Sequence, residues 1–246
     1  MPTPDKVMIV IGGSRGIGAA VARKAAAAGW RVLLTYAAGA DEAEAVAQAI
    51  ADAGGTASPQ RCDVAREEEI TALFARAGEL GRIDALVYSS GITGAASPLA
   101  DASAETLRSV IDVNLTGAML SAREAVRRMA NDRGGSGGTI TFISSRASDR
   151  GSAGEYVWYA ASKGGLNSFS LGLAREVAAS GIRVNCVSPG PVATGMLSAE
   201  RQALGAAAVP MQRVAQPDEI ADAVLYLASD AASYVTGANL AVAGGA

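Results

Sequence analysis

Residues 12–18, Gly-Gly-Ser-Arg-Gly-Ile-Gly, constrain the fold more than any other part of the chain. They follow a short apolar run at 7–11 and precede an alanine-rich segment at 19–28 that stops at Gly29. Only glycine lets a backbone turn sharply out of a strand and lie against a pyrophosphate. The start of the next helix offers free N–H groups and a partial positive charge to the same anion. Strand, glycine turn and helix in this order form the context that supports a dinucleotide loop. The spacing is G-x-x-x-G-x-G (Gly12, Gly16, Gly18) rather than the commoner G-x-G-x-x-G. The loop makes Gly12, Ser14, Arg15, Gly16, Ile17 and Gly18 the expected cofactor contacts. The plainer alternative is a glycine turn used only for tight packing.

Past the loop, strand-like and helix-like segments alternate. Strands are predicted at 7–11, 31–36, 56–62, 84–89, 139–144, 182–187 and 239–242. Helices are predicted at 19–28, 41–53, 67–80, 103–130, 157–180 and 217–228, the last with Pro217 in its first turn. Such alternation predicts an α/β fold: a doubly wound parallel sheet of about seven strands with helices on both faces. With 246 residues and 50% hydrophobic content, the chain can bury one core. No linker or repeat divides it, so residues 1–246 are expected to form a single Rossmann domain. Residues 191–213, rich in glycine and alanine with Met196, Leu197 and Met211, are the expected substrate lid.

A second feature points to chemistry. Tyr159 and Lys163 stand one helical turn apart and can project from the same face. A phenol alone is a poor acid or base at neutral pH, with a pKa of about 10. A nearby ammonium favours the phenolate and lowers that value. A tyrosine so tuned can trade a proton with a carbonyl or alcohol oxygen. The chain has no histidine, which removes Ser-His-Asp and Cys-His mechanisms and most zinc sites. No metal is expected. Cys62 and Cys186 are far apart and read as buried thiols in a reducing compartment. A formal net charge of −3 advertises no nucleic acid. No stretch reaches the roughly 18 apolar residues of a membrane span. The start shows no signal-peptide pattern, so a cytoplasmic location is expected.

The end of the second predicted strand bears on cofactor choice. An NAD site usually places Asp or Glu there to hold the ribose 2′-hydroxyl. Here the residues are Thr35, Tyr36, Ala37 and Ala38, with no carboxylate before Asp41. Arg15 could face a 2′-phosphate instead. NADP(H) is therefore expected, with NAD(H) the lesser alternative and Tyr36 a further contact.

Together, Gly12-Gly13-Ser14-Arg15-Gly16-Ile17-Gly18 and Tyr159-Ala160-Ala161-Ser162-Lys163 resemble the short-chain dehydrogenase/reductase family. The likeness runs almost the whole length. Cys62-Asp63-Val64 resembles the station whose Asp holds the adenine amine. Asp112-Val113-Asn114-Leu115-Thr116-Gly117 resembles the helix that carries an asparagine. Ile143-Ser144-Ser145 resembles the serine strand end, and Pro189-Gly190-Pro191-Val192-Ala193-Thr194 the nicotinamide-binding turn. The resemblance implies a ketone–alcohol oxidoreductase, usually a homotetramer through its long helices, with a dimer possible. By position it makes Tyr159 the acid/base. Lys163 would hold the nicotinamide ribose and tune Tyr159, and Ser145 would bind the substrate oxygen. Asn114 would hold a water that links Lys163 to solvent. It adds Asp63, Val64, Gly91, Pro189, Gly190, Val192 and Thr194 to the cofactor contacts. Ser144 competes with Ser145, because a strand end lets only one of the two face the site.

The chain departs from the family pattern in places. Tyr88-Ser89-Ser90-Gly91 replaces the usual Asn-Asn-Ala-Gly, and Ile11 stands where threonine is common. Both changes bear on local stability more than on catalysis and fall on motifs that usually touch. The stretches 154–159 and 209–213 resemble bacterial glucose dehydrogenases and 3-oxoacyl-carrier-protein reductases. An acyl-carrier partner would want a basic rim, for which Arg127, Arg128 and Arg133 are candidates against a plain solvated helix end. Glu155, Tyr156 and Trp158 are candidates for the pocket mouth; alternatively, Trp158 packs a subunit interface and Glu155 is solvated. The expected function is hydride transfer between NADP(H) and a small carbonyl or alcohol substrate. A cofactor-binding regulatory protein of the same fold without turnover is the alternative.

Overall fold

A computed structural model describes residues 6–195 and 199–246 of the chain. Strands β1 (Lys6–Ile11), β2 (Arg31–Tyr36), β3 (Thr56–Arg61), β4 (Arg82–Tyr88), β5 (Gly138–Ile143), β6 (Ile182–Pro189) and β7 (Asn239–Val242) form one sheet. Every pairing is parallel, and the order is β3-β2-β1-β4-β5-β6-β7. The order reverses between β1 and β4, and the crevice outside the strand ends at such a reversal is where open α/β sheets bind ligands.

The central strands β1, β2, β4, β5 and β6 are largely buried, as strands covered on both faces are. Val7, Ile9 and Ile11 enter one core with Leu86, Tyr88, Phe142 and Val184, while Met8 and Val10 enter the other with Val32, Leu34, Val87 and Val187. Helices α3 (Glu67–Leu80), α5 (Gly117–Met129) and α7 (Val157–Val177) cover the first face. Helices α1 (Gly16–Ala27), α2 (Ala40–Asp52) and α9 (Pro217–Ala228) cover the second. Alanines at 19, 20, 22, 25 and 26 bring α1 close to the sheet. Pro59 lies in β3, the edge strand, where a missing N–H does least harm.

The element boundaries differ from expectation in instructive places. Helix α1 starts at Gly16, not residue 19, because Gly18 is needed inside its first turn. A Cβ at Gly18 would stand 2.1 Å from the Gly12 carbonyl oxygen. Low helical propensity there yields to close packing of helix on turn. The expected helical segment 103–130 is helical from 104 to 129 but carries a π turn, Asp112–Thr116, between α4 (Ala104–Ile111) and α5. Short α6 (Ala147–Arg150) follows β5, and α8 (Ala199–Ala208) lies within the expected lid. Met196 and Leu197, named for that lid, lie outside the described residues. Among the described residues no helix is long and apolar enough to cross a membrane.

Candidate active site

The expected cofactor and catalytic residues gather at the C-terminal ends of the strands. At the end of β1, Gly12 has φ +79° and Gly16 φ +55°, backbone that favours glycine. A side chain at Gly12 would meet the Ser90 nitrogen at 2.8 Å and its Oγ at 2.9 Å. The turn is held from β2: Gly12 N–H donates to the Thr35 Oγ1 (3.1 Å) and Gly13 N–H to the Thr35 carbonyl (2.9 Å). Ser14 is half-buried. Arg15, the extended residue before α1, is exposed. Ile17 packs against the second core. The turn after β6 folds back onto this loop, since a Cβ at Gly16 would lie 3.2 Å from the Thr194 Cγ2.

Other expected contacts line the same edge. Tyr36 ends β2, and its carbonyl accepts the Cys62 N–H at 2.8 Å. The Asp63 Oδ1 accepts the Ala65 N–H at 3.0 Å, which shapes the turn after β3. The Val64 side chain is buried in the core beneath α3 and α5. Pro189 ends β6, Gly190 N–H donates to the Val242 carbonyl of β7 (3.2 Å), and Val192 bridges to Ala215. Near the end of β2, α2 carries Asp41 and Glu42 in its first turn, and the Glu42 carboxylate folds back over Gly39.

The four expected catalytic side chains converge beside the end of β4. Asn114, fully buried in the π turn, accepts the Ile92 N–H (2.8 Å) and donates to the Ile92 carbonyl (2.9 Å) and the Ser162 Oγ (3.0 Å). Lys163 is 3% exposed, and its Nζ donates to the Ile143 carbonyl at 2.7 Å. A Cβ at Gly91 would come within 3.4 Å of the Lys163 Nζ and 3.5 Å of the Asn114 Oδ1. Glycine therefore keeps open the space those two groups share. The serine alternatives separate: the buried Ser144 hydroxyl donates to the Lys163 carbonyl (3.3 Å), whereas the Ser145 hydroxyl reaches the Tyr159 phenol. Ser145 Oγ also accepts the Ala147 N–H (3.1 Å), which leaves its own proton to donate.

The electrostatics correct one expectation. The spacing predicts that Lys163 lowers the Tyr159 pKa, yet the phenol lies above its ordinary value. Burial drives it up, and the hydrogen bond from Ser145 pulls against burial. Although Tyr159 keeps some exposed surface, enough protein surrounds its hydroxyl for desolvation to govern. Lys163 Nζ is 5.8 Å from the ring centroid and is committed to a backbone carbonyl. Burial lowers Lys163 itself to about 8, so it keeps its charge at neutral pH and loses it as pH rises past that value. The thiols of Cys62 and Cys186 are buried and pushed up to about 12 and about 11.

The departures from the family pattern also find places. Ile11 is fully buried in the core with Tyr88, and Ser89 N–H donates to the Ile11 carbonyl (2.8 Å), so the two altered motifs meet through backbone. Trp158 is buried and turned inward, its Nε1 donating to the Thr93 carbonyl at 2.7 Å. Glu155 is ion-paired to Arg201 of α8 at 3.0 Å, and the Arg201 guanidinium lies 5.3 Å from the centroid of the Tyr156 ring. The sequence carries no signal for Arg201, for Ile92 or for the hold of Thr35 on the turn; no local spacing connects them to their partners. Arg127 and Arg128 do not rim the site. Both bind Glu124 near the end of α5, where Met129 packs at the start of β5, the opposite end of the sheet.

Comparisons with known proteins agree with this geometry. Residues 11–246 match the family model described as enoyl-(acyl carrier protein) reductase. An uncharacterized oxidoreductase, YgfF of Escherichia coli K12, is 43% identical, with 97% of this chain and 99% of that protein covered. A short-chain dehydrogenase/reductase from Serratia marcescens superposes with a TM-score of 0.91 at 35% identity, covering 100% of this chain and 99% of that one. A short-chain dehydrogenase from Burkholderia cenocepacia, solved in complex with NADP, gives a TM-score of 0.91 at 31% identity, with 98% and 97% covered.

Proposed function

The chain belongs to the short-chain dehydrogenase/reductase family, and within it we propose an NADP(H)-dependent oxidoreductase that interconverts a carbonyl and an alcohol. One observation carries this reading: Lys163 Nζ lies 5.8 Å from the Tyr159 ring centroid while Lys163 and Asn114 flank the space over Gly91, all at the strand ends beside the glycine turn. The residues present fit a dinucleotide. A Cβ would obstruct the turn at Gly12, and the N-terminus of α1 is presented next to it. Gly12, Ser14, Arg15, Gly16, Ile17 and Gly18 would hold its phosphates. Tyr36, Asp63 and Val64 would hold the adenosine half. Gly91, Asn114, Tyr159, Lys163, Pro189, Gly190, Val192 and Thr194 would hold the nicotinamide half. When bound, the cofactor supplies the hydride.

The chain's own groups handle the proton. In reduction, Tyr159 Oη gives its proton to the substrate oxygen, while Ser145 donates a hydrogen bond that orients that oxygen. A phenol held above its ordinary pKa is stored as the acid, the form reduction needs. The Lys163 ammonium stands one turn away, tied to the Ile143 carbonyl, where it would hold the nicotinamide ribose. Asn114 fixes the backbone at Ile92 and keeps a polar path beside Lys163.

Arg15 supports NADP(H), because a charged hydrogen bond to a 2′-phosphate contributes about 1.5–3 kcal/mol. NAD(H) is the second reading, favoured by one observation: the Glu42 carboxylate over Gly39 sets a negative charge near the end of β2. Self-association, as a tetramer or a dimer, is supported by Met119 of α5 and Leu171 of α7, apolar side chains more than a third exposed.

The test mixes purified protein, NADPH and a panel of ketones and aldehydes and follows nicotinamide absorbance. Oxidation is expected with at least one carbonyl. Tyr159→Phe is expected to lower kcat by about 10²–10⁴-fold, the usual contribution of acid–base catalysis, with NADPH affinity nearly intact. Cofactor binding without oxidation across the panel would favour a binding protein without turnover.

A further inference from the structure

Tyr88, the last residue of β4, is the largest side chain with no exposed surface among the described residues. A buried phenol must find a partner for its hydroxyl. Here the hydroxyl donates to the Val113 carbonyl at 2.5 Å. Val113 lies in the π turn, and the next residue is Asn114. Gly117 makes the room: a Cβ there would stand 2.7 Å from the Tyr88 Oη and 2.8 Å from the Val64 carbonyl. Burial keeps the phenol far above its ordinary pKa, so it remains a donor throughout the working pH range. The end of β4 thus grips the π turn twice, through Tyr88 on Val113 and through Ile92 on the Asn114 amide. π turns often mark functional positions, and this one holds a side chain that flanks the space beside Lys163.

We propose that Tyr88 is a positioning residue for Asn114: its hydroxyl fixes the Val113 carbonyl and so sets where the Asn114 amide stands between Ile92, Ser162 and Lys163. The inference rests on the reading of Asn114, Tyr159 and Lys163 as the catalytic set. It gives the aromatic residue a task that the chain meets in its own way, since the family pattern has asparagine at this place.

Tyr88→Phe removes the hydroxyl and keeps the ring. Its kcat is expected to fall about 2- to 12-fold, the range for one net hydrogen bond, with NADPH affinity unchanged. Added to Asn114→Ala, it is expected to lower kcat no further, because both changes act on one group. A purely structural role would lower the melting temperature, leave kcat of the folded protein intact and add to the Asn114 effect. A readout without turnover accompanies it: the side-chain amide resonances of Asn114, assigned by their loss in Asn114→Ala, should shift in Tyr88→Phe. Should Tyr88→Phe fail to fold, Gly117→Ala, which crowds the phenol from below, is read in the same way. Unmoved amide resonances, or an unchanged kcat, overturn the proposal. If the wild-type protein reduces no carbonyl, the functional reading falls separately, and the amide resonances still decide whether Tyr88 places Asn114.

Discussion

At the β1–α1 turn the structure is made of backbone. Gly12, Gly13 and Gly18 leave no room for a Cβ, and Thr35 holds the turn through main-chain N–H groups. By contrast, the contact between α8 and the start of α7, the proposed rim, is made of side chains: Arg201 reaches Glu155 and lies over Tyr156, all partly exposed to solvent. The first region tolerates no added atom, whereas the second rests on an ion pair that water screens. A rigid glycine turn suits a cofactor common to every turnover, and an adaptable rim suits a substrate that differs among relatives.

Gly18→Ala should break the first region most severely. With 2.1 Å to the Gly12 carbonyl, helix α1 must shift, at a cost of about 1–3 kcal/mol, the usual range for overpacking. NADPH binding should be lost. Calorimetry that finds unchanged affinity and stability would show that the turn has slack.

Arg15→Ala sharpens the same contrast without touching the backbone. The KM for NADPH should rise roughly 10- to 150-fold, from a charged hydrogen bond of about 1.5–3 kcal/mol, while the KM for NADH stays put. An unchanged preference in steady-state kinetics would remove Arg15 from cofactor choice.

The rim should respond least. Glu155→Gln should change the KM for the carbonyl substrate by no more than about 5-fold, the range of an exposed ion pair, and leave NADPH affinity alone. In a double-mutant cycle with Arg201→Ala the two effects should be less than additive. Additive effects, or weakened NADPH binding, would mean that the pair does not act as a rim.

The same contrast explains what was legible in the sequence. The glycine turn, the strand alternation and the Tyr159–Lys163 spacing are local patterns with one physical solution each. The sheet order β3-β2-β1-β4-β5-β6-β7 follows the layout such alternation predicts. Arg201 meets Glu155 across 46 positions, and no periodicity announces such a pair. The π turn does not interrupt the helical pattern in the sequence, and the tyrosine that bonds its Val113 carbonyl lies 25 positions away. At Tyr159 burial outweighs what the spacing suggests, and the phenol lies above its ordinary value. Sequence spacing places a cation nearby, but it cannot show that the cation is spent on the Ile143 carbonyl and that burial acts on both groups.

The central claim is that Tyr159 is stored as an acid by burial, with Lys163 titrating below it. The most direct measurement follows the tyrosine 13Cζ resonances of the cofactor-free protein from pH 6 to 11 (the span the claim concerns, bracketing about 10 for a free phenol), with Tyr159 assigned by its absence in Tyr159→Phe. The Tyr159 signal should remain that of a neutral phenol past pH 10, with only a small step near pH 8 as Lys163 gives up its proton. A phenolate signal appearing between pH 6 and 8 would contradict the claim and return the tuning of the tyrosine to the lysine.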